Sequence, residues 1–302
     1  MNRLLLRITI ISLALLLFSH LNGSISSYNR LEYKNFTVLC HSNDMDEGRE
    51  IILMAKDIFP EIARNLRLLN EAPITIILAH SDKHFRLLTD GKVPEWGGGA
   101  ADTHNRIIWL KPSKLIGSKQ TFKKIVAHEL SHIALGMVLN GKSVDRWFEE
   151  GMALYHSGEY GWSQNLLLAR NFFFGGTIPL NDIDRVLNFR LEKASLAYQE
   201  SLSAVKYLTE KYGKEILSKI AWTLRSNTNM DLALNKTIGI GFDEFESQWY
   251  KTMKNKYRWY PIMDYRFIFS LLIILLFIAA VISVKRKQMR KNWDEGELYG
   301  FK

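Results

Sequence analysis

From Phe267 to Val284 the chain reads FIFSLLIILLFIAAVISV, 18 residues without a charge. As a helix such a run reaches about 27 Å, close to the thickness of a bilayer's hydrocarbon core. Tyr257, Trp259, Tyr260 and Tyr265 precede it as an interfacial aromatic belt would, and Lys285-Arg286-Lys287, Arg290 and Lys291 close it. The pattern predicts a transmembrane helix over 265–284 and a basic cytoplasmic tail over 285–302. The positive-inside rule then puts the bulk of the chain on the extracytoplasmic side of a plasma or inner membrane.

A second apolar run sits at the other end. Arg3 and Arg7 flank the start of Ile8 to Phe18, 11 apolar or small residues, a length that suits a signal-peptide core better than a membrane span. Ser24-Ile25-Ser26 offers a small-x-small cleavage site. Residues 1–26 are therefore expected to be a signal peptide or an uncleaved anchor, and either version exports 27–258. The lone cysteine, Cys40, excludes a disulfide framework and a cysteine-based zinc knuckle. A metal would have to be held by His, Asp or Glu. The single thiol also fits a bacterial envelope better than a disulfide-rich secretory setting. The formal charge of +9 is largely terminal: without Arg3, Arg7 and the tail, 32 basic and 28 acidic residues remain over 25–266, a net of +4. That balance excludes a nucleic-acid surface.

The exported part reads as mixed α and β. Leu31 to Cys40 alternates as a strand would. Asp46 to Leu69 places Ile51, Ile52, Met54, Ala55, Ile58, Ile62, Leu66 and Leu69 on one helical face, with Pro60 expected to kink or break it. Pro73 to Ala79 is a short β-branched strand. Ser81-Asp82 caps a helix through Leu88, ended by Asp90-Gly91. After the loop Trp96-Gly97-Gly98-Gly99 comes Ala100 to Leu110, with Ile107, Ile108, Trp109 and Leu110 as a third strand. From there the chain is helical almost to the membrane. No repeat or low-complexity stretch interrupts it.

The chemistry lies between Thr121 and Tyr155. Ser118 or Thr121 caps a helix that buries Phe122, Ile125, Val126, Leu130, Ile133, Met137 and Val138 and stops at Asn140-Gly141. Within it, AHELSH holds His128, Glu129 and His132. Residues i and i+4 lie about 40° apart around a helix, so both imidazoles leave from one face at a spacing that suits Zn²⁺. Glu129, about 60° around from His132, is poorly placed to bind the same ion but can reach a water beside it. An H-E-x-x-H pattern recurs by chance, so its setting matters. Here it lies within a helix, between uncharged flanks, and an acidic pair, Glu149-Glu150, follows in WFEEGMALY. Seventeen residues separate His132 from Glu150, enough to end one helix, turn and run a second one back. A carboxylate there completes two histidines and an acid and leaves a coordination position for water, as a catalytic zinc requires.

AHELSHIAL followed by WFEEGMALY resembles the gluzincin metallopeptidases, and in particular the peptidase MA-like domains of bacterial membrane proteins. The PITIIL strand, the GGGAAD–IIWL hairpin-like segment, AYQESLSAVKYLTEKYG and FDEFESQWY extend the likeness over about 28–255. The resemblance implies a zincin-like α+β fold, with a small N-terminal mixed sheet and a mainly helical C-terminal half. It implies His128, His132 and Glu150 as ligands of one Zn²⁺, with Glu150 preferred to Glu149 because it directly precedes Gly151. Glu129 would be the catalytic base in peptide-bond hydrolysis at the outer membrane face. The partners would be a peptide or protein substrate and the lipid bilayer; oligomeric state is not legible. The alternative is an anchored zinc-binding recognition or sensor module of the same fold without hydrolysis. No recognition motif for an N-terminal amine stands between Trp96 and Leu110.

Weaker candidates remain. Tyr198, Tyr155 and Tyr160 could donate to an oxyanion, although an ordinary packing role is the simpler reading of Tyr198. Gly97 to Gly99 could admit a peptide backbone, with Arg106 to Leu110 as the edge strand pairing with it. His104 and His156 read as solvent histidines, and His41, His80 and His84 show no ligand pattern. Phe172-Phe173-Phe174 reads as core or as membrane-facing.

Overall fold

The computed structural model describes residues 28–69, 72–158, 162–183, 191–226, 229–259 and 265–299. The expected signal peptide or anchor over 1–26 and Tyr160 lie outside them. The chain divides into two compact units, one of 1–160 with 178–247, the other of 161–177 with 248–302.

In the first unit five strands, β1 (Tyr28–Tyr33), β2 (Phe36–His41), β3 (Ile74–Leu78), β4 (Gly99–Asp102) and β5 (Ile107–Leu110), form one mixed sheet in the order β1-β2-β3-β5-β4. β1 and β2 are antiparallel, with Tyr33 opposite Phe36. The single strand expected over 31–40 is therefore a hairpin. Its turn is Lys34-Asn35, with Lys34 at φ 51°, and no glycine or proline marks it. β2, β3 and β5 are parallel neighbours, and β4 returns antiparallel along β5. Ile107 to Leu110 is a strand as expected, but β4, not the 106–110 segment, forms the edge at this end of the sheet, which corrects a second expectation. The turn between them is made by Asp102, whose Oδ1 accepts from the backbone N–H of His104 and of Asn105 at 3.0 Å each.

Helix α1 (Met45–Asn65) packs on β1 and β2 through Ile51, Met54, Ala55, Phe59 and Ile62. Pro60 does not break it. The proline is exposed between buried Phe59 and Ile62, so the lost backbone bond faces water while packing holds the helix on either side. α2 (Asp82–Leu88) is capped by Ser81, whose Oγ accepts from the His84 N–H. α3 (Lys119–Leu139) is capped by Ser118 and ends at Asn140 and Gly141, both left-handed. It is buried on nearly every side, against α1, β4 and β5 and the helices that follow. α4 (Arg146–Ser157) returns against α3. α5 (Trp162–Phe174) belongs to the second unit, and α6 (Leu191–Tyr212) packs on α4. Gly151 permits that packing: a Cβ there would stand 2.5 Å from the Ser201 carbonyl oxygen. α7 (Ile216–Leu224), α8 (Met230–Ile238) and the first part of α9 (Phe242–Tyr257) complete the unit. Arg225 donates to the Val138 carbonyl and Trp222 to that of Leu66, which fastens this end to α3 and to the end of α1.

The second unit holds α5, the end of α9 and α10 (Tyr265–Tyr299). Phe172 is buried, stacked on Tyr257 at 5.8 Å and edge-on to Trp249 at 5.5 Å, while Phe173 and Phe174 are exposed. In α10 the stretch Ile268–Arg290 is long and apolar enough to cross a membrane, and its side chains are not buried by the protein. The helix continues past Val284 through the basic residues rather than ending there. The architecture is α+β: a small mixed sheet in the N-terminal half, helices in the C-terminal half, and one apolar helix near the C-terminus.

Candidate metal centre

His128 and His132 are one turn apart on α3, and their rings meet edge to face with centroids 4.8 Å apart. α4 returns along this face after a six-residue connection, 140–145, that begins with the left-handed Asn140 and Gly141. Glu150 then points at both rings: its Oε2 lies 3.4 Å from His128 Nε2 and 3.7 Å from His132 Nε2. The three ligand atoms lie within 4.8 Å of one another. A tetrahedral ion with bonds of about 2.0–2.1 Å separates its ligands by roughly 3.3 Å. The two separations from Glu150 Oε2 are thus close to those around one zinc-sized cation.

The two glutamates of the acidic pair have different positions. Glu150 faces the Nε2 atoms, whereas Glu149 Oε1 lies 3.3 Å from His132 Nδ1, the ring's other nitrogen. Glu149 therefore stands beside the ring's other nitrogen instead of joining the three converging atoms. Arg146, one turn before Glu150, reaches its second oxygen: Nη2 to Oε1 is 3.0 Å. This guanidinium was not singled out from sequence, although its i, i+4 spacing to Glu150 was the signal available.

The charges of the group act on one another. Burial alone would raise the Glu150 pKa, but His128, His132 and Arg146 hold it down to about 2. Burial alone would lower that of His132, but Glu149, Glu150 and Glu129 carry it up to about 9. Three carboxylates around two imidazoles hold a positive charge there, whether it is a proton or a metal.

Glu129 is buried beside the group, with its carboxylate against the backbone of β4. A Cβ at Gly99 would stand 2.7 Å from Glu129 Oε1. The glycine loop expected to admit a peptide backbone is thus filled by the protein itself: Gly97 accommodates Val93, Gly98 accommodates Ile125 and Ile116, and Gly99 accommodates Glu129. Tyr198, read as packing, stands at the centre on α6. Its hydroxyl accepts a hydrogen bond from Arg146, and its ring meets Trp96 at 5.9 Å. Burial, then the charges of Glu150 and Glu129, push its pKa above the ordinary tyrosine range, so it keeps its proton. His156 is not a solvent histidine. Its Nδ1 pairs with Ser131 Oγ at 2.8 Å, and burial holds its pKa down to about 4, so the ring is neutral. His104 is exposed as expected, and Tyr155 packs against His156.

A family model described as the peptidase MA superfamily matches residues 64–255, more than half of the chain. The match takes in α3, α4 and α6 and begins within α1, so that β1 and β2 precede it. No curated protein matches the chain.

Proposed function

Because the chain belongs to the peptidase MA superfamily, we propose that it is a zinc metallopeptidase of the gluzincin type, anchored by α10, that hydrolyses peptide bonds on the extracytoplasmic side of the membrane. The observation that carries this reading is the spacing of His128 Nε2, His132 Nε2 and Glu150 Oε2 with the buried Glu129 beside them. His128, His132 and Glu150 would hold one Zn²⁺, which when bound supplies Lewis acidity and makes a water easier to deprotonate.

The side chains do the rest. Glu129 takes the proton of the attacking water and returns it to the leaving amine. Tyr198, kept protonated, offers its hydroxyl to the oxygen that gains charge in the tetrahedral intermediate. Arg146 holds both Glu150 and Tyr198, so it fixes a ligand and a donor together. Glu149 keeps the His132 ring turned toward the ion. β4, as the edge of the sheet beside Glu129, is the strand along which an extended peptide would lie. The uncharged run in α10, with Lys285, Arg286 and Lys287 after it, supports a membrane anchor with a cytoplasmic C-terminus.

The test is zinc content and cleavage of a peptide library by the full-length protein in detergent, for wild type and Glu129→Gln. Wild type should carry zinc and cleave, and the variant should carry zinc and not cleave. A wild type that binds zinc and cleaves nothing would instead favour a binding or sensor module, and a variant as active as wild type would remove Glu129 from the base role.

A further inference from the structure

We propose that His41, Asp44 and His80 form a second divalent transition-metal site, sharing no residue with the first. The three are scattered in sequence and are brought together by the sheet. His41 is the last residue of β2, and His80 follows β3 by two residues. β2 and β3 are parallel neighbours, so their C-terminal ends lie side by side, the end of such sheets at which ligands gather. Asp44 closes the short helical turn Ser42–Asp44 that joins β2 to α1.

The geometry is that of a donor group. His80 Nδ1 lies 2.8 Å from Asp44 Oδ2, and the His41 and His80 rings stand 4.7 Å apart between centroids. One ligand atom from each of the three lies within 4.8 Å of the others. His84 is close by but is not a ligand. Its Nδ1 accepts from the His80 backbone N–H at 3.2 Å, so its proton is on Nε2, which donates to the Tyr28 hydroxyl at 3.1 Å. Both nitrogens are engaged, and the ring serves to hold the backbone that carries His80. The His41 Nδ1 accepts a long bond of 3.3 Å from the Asn43 N–H, which an ion would displace.

Two imidazoles and a carboxylate select a borderline divalent ion such as zinc, cobalt, nickel or copper over calcium or magnesium. His80 and its neighbours are partly open to solvent, so water completes the coordination. The ion would fasten the β2–α1 junction to the turn between β3 and α2, a structural clamp.

The experiment uses full-length protein in detergent, stripped with a chelator and dialysed against a small excess of Zn²⁺, with zinc per chain read by elemental mass spectrometry. His80→Ala and Asp44→Asn should each bind one ion fewer than wild type and cleave peptide as wild type does. Variants that bind as many ions as wild type overturn the site. Should the first centre hold no zinc, wild type would carry one ion and the variants none, so the two readings fail separately. A second measurement needs no substitution: carbethoxylation of wild type with and without Zn²⁺, read by peptide mass spectrometry. Labelling of His41 and His80 should fall at least fivefold with zinc, and equal labelling overturns the site.

Discussion

At α3 and α4, two imidazoles come from one helix and their carboxylate from the next, and the group is nearly closed to solvent. At the ends of β2 and β3, two imidazoles and a carboxylate of the same chemistry come from three segments, and His80 is half exposed. The donors are alike, so their surroundings must decide what each can do. Around the first centre stand a buried carboxylate outside the ligand group, a guanidinium shared between Glu150 and Tyr198, and a tyrosine that keeps its proton. Around the second stands His84, whose two nitrogens are used in holding the chain. On the readings proposed above, the first would act on a bound molecule and the second would tie two elements together.

Substituting the base tests that difference most severely. Glu129→Gln should reduce kcat by about 10²–10⁴-fold, the usual contribution of a positioned base, with zinc content unchanged. His80→Ala should leave kcat where it is. If the two variants lost activity equally, the centres would not be separable in this way. Gly99→Ala comes next. Its Cβ would stand 2.7 Å from Glu129 Oε1, so the carboxylate must move by a few tenths of an ångström or more. A misplacement approaching 1 Å costs about 10²-fold in rate. We expect kcat to fall toward that level with zinc retained, and unchanged kinetics would show that the base does not need β4 as its backstop. Arg146→Met is subtler. It frees the second oxygen of Glu150, and removing such an outer partner typically weakens metal binding by 10–100-fold, about the loss expected in a chelator competition assay. An unaltered affinity would mean that Glu150 is held by packing alone.

Much of the first centre could be read from sequence because it is local. His128, Glu129 and His132 are fixed by helical spacing, and the acidic pair by a short return. Arg146 was as accessible, four residues before Glu150. Gly99 and Tyr198 were not, because they reach the centre only through the sheet edge and α6, 30 and 69 residues from Glu129. The second cluster was invisible for the same reason: His41 and His80 become neighbours only once β2 and β3 pair. The misread strand has another cause. Lys34-Asn35 reverses the chain without glycine or proline, so that hairpin reads as a single strand. Pro60 was overread, since a helix with buried residues on both sides of an exposed proline keeps its course.

Burial with cationic partners against burial without them also separates two glutamates of the first unit, and this gives the smallest predicted effect. Glu150, among His128, His132 and Arg146, is held down to about 2. Glu200, on α6, accepts the Ile178 backbone N–H at 3.2 and 3.1 Å, and burial, with help from Glu246, pushes it up to about 8. Its folded pKa lies above the ordinary value of 4.5, so the native state holds the proton more tightly than the unfolded chain does. The resulting stabilisation is complete below about pH 4.5 and is lost as pH rises through about 8. The slope is at most about 1.4 kcal/mol per pH unit, and each kcal/mol moves the midpoint of a domain this size by about 2–4 °C. His156, with its pKa held down to about 4, works in the opposite sense and at lower pH, losing stability as the medium is acidified from its ordinary value of 6.5. The informative quantity is therefore the difference between wild type and Glu200→Gln, which keeps the shape and the acceptor but cannot ionise. Thermal midpoints of the zinc-loaded proteins between pH 5 and pH 8.5 should converge at the acid end and separate toward the alkaline end, with wild type falling further. Parallel curves would mean that Glu200 is already ionised in the native protein and that the Ile178 N–H is enough to hold a buried charge.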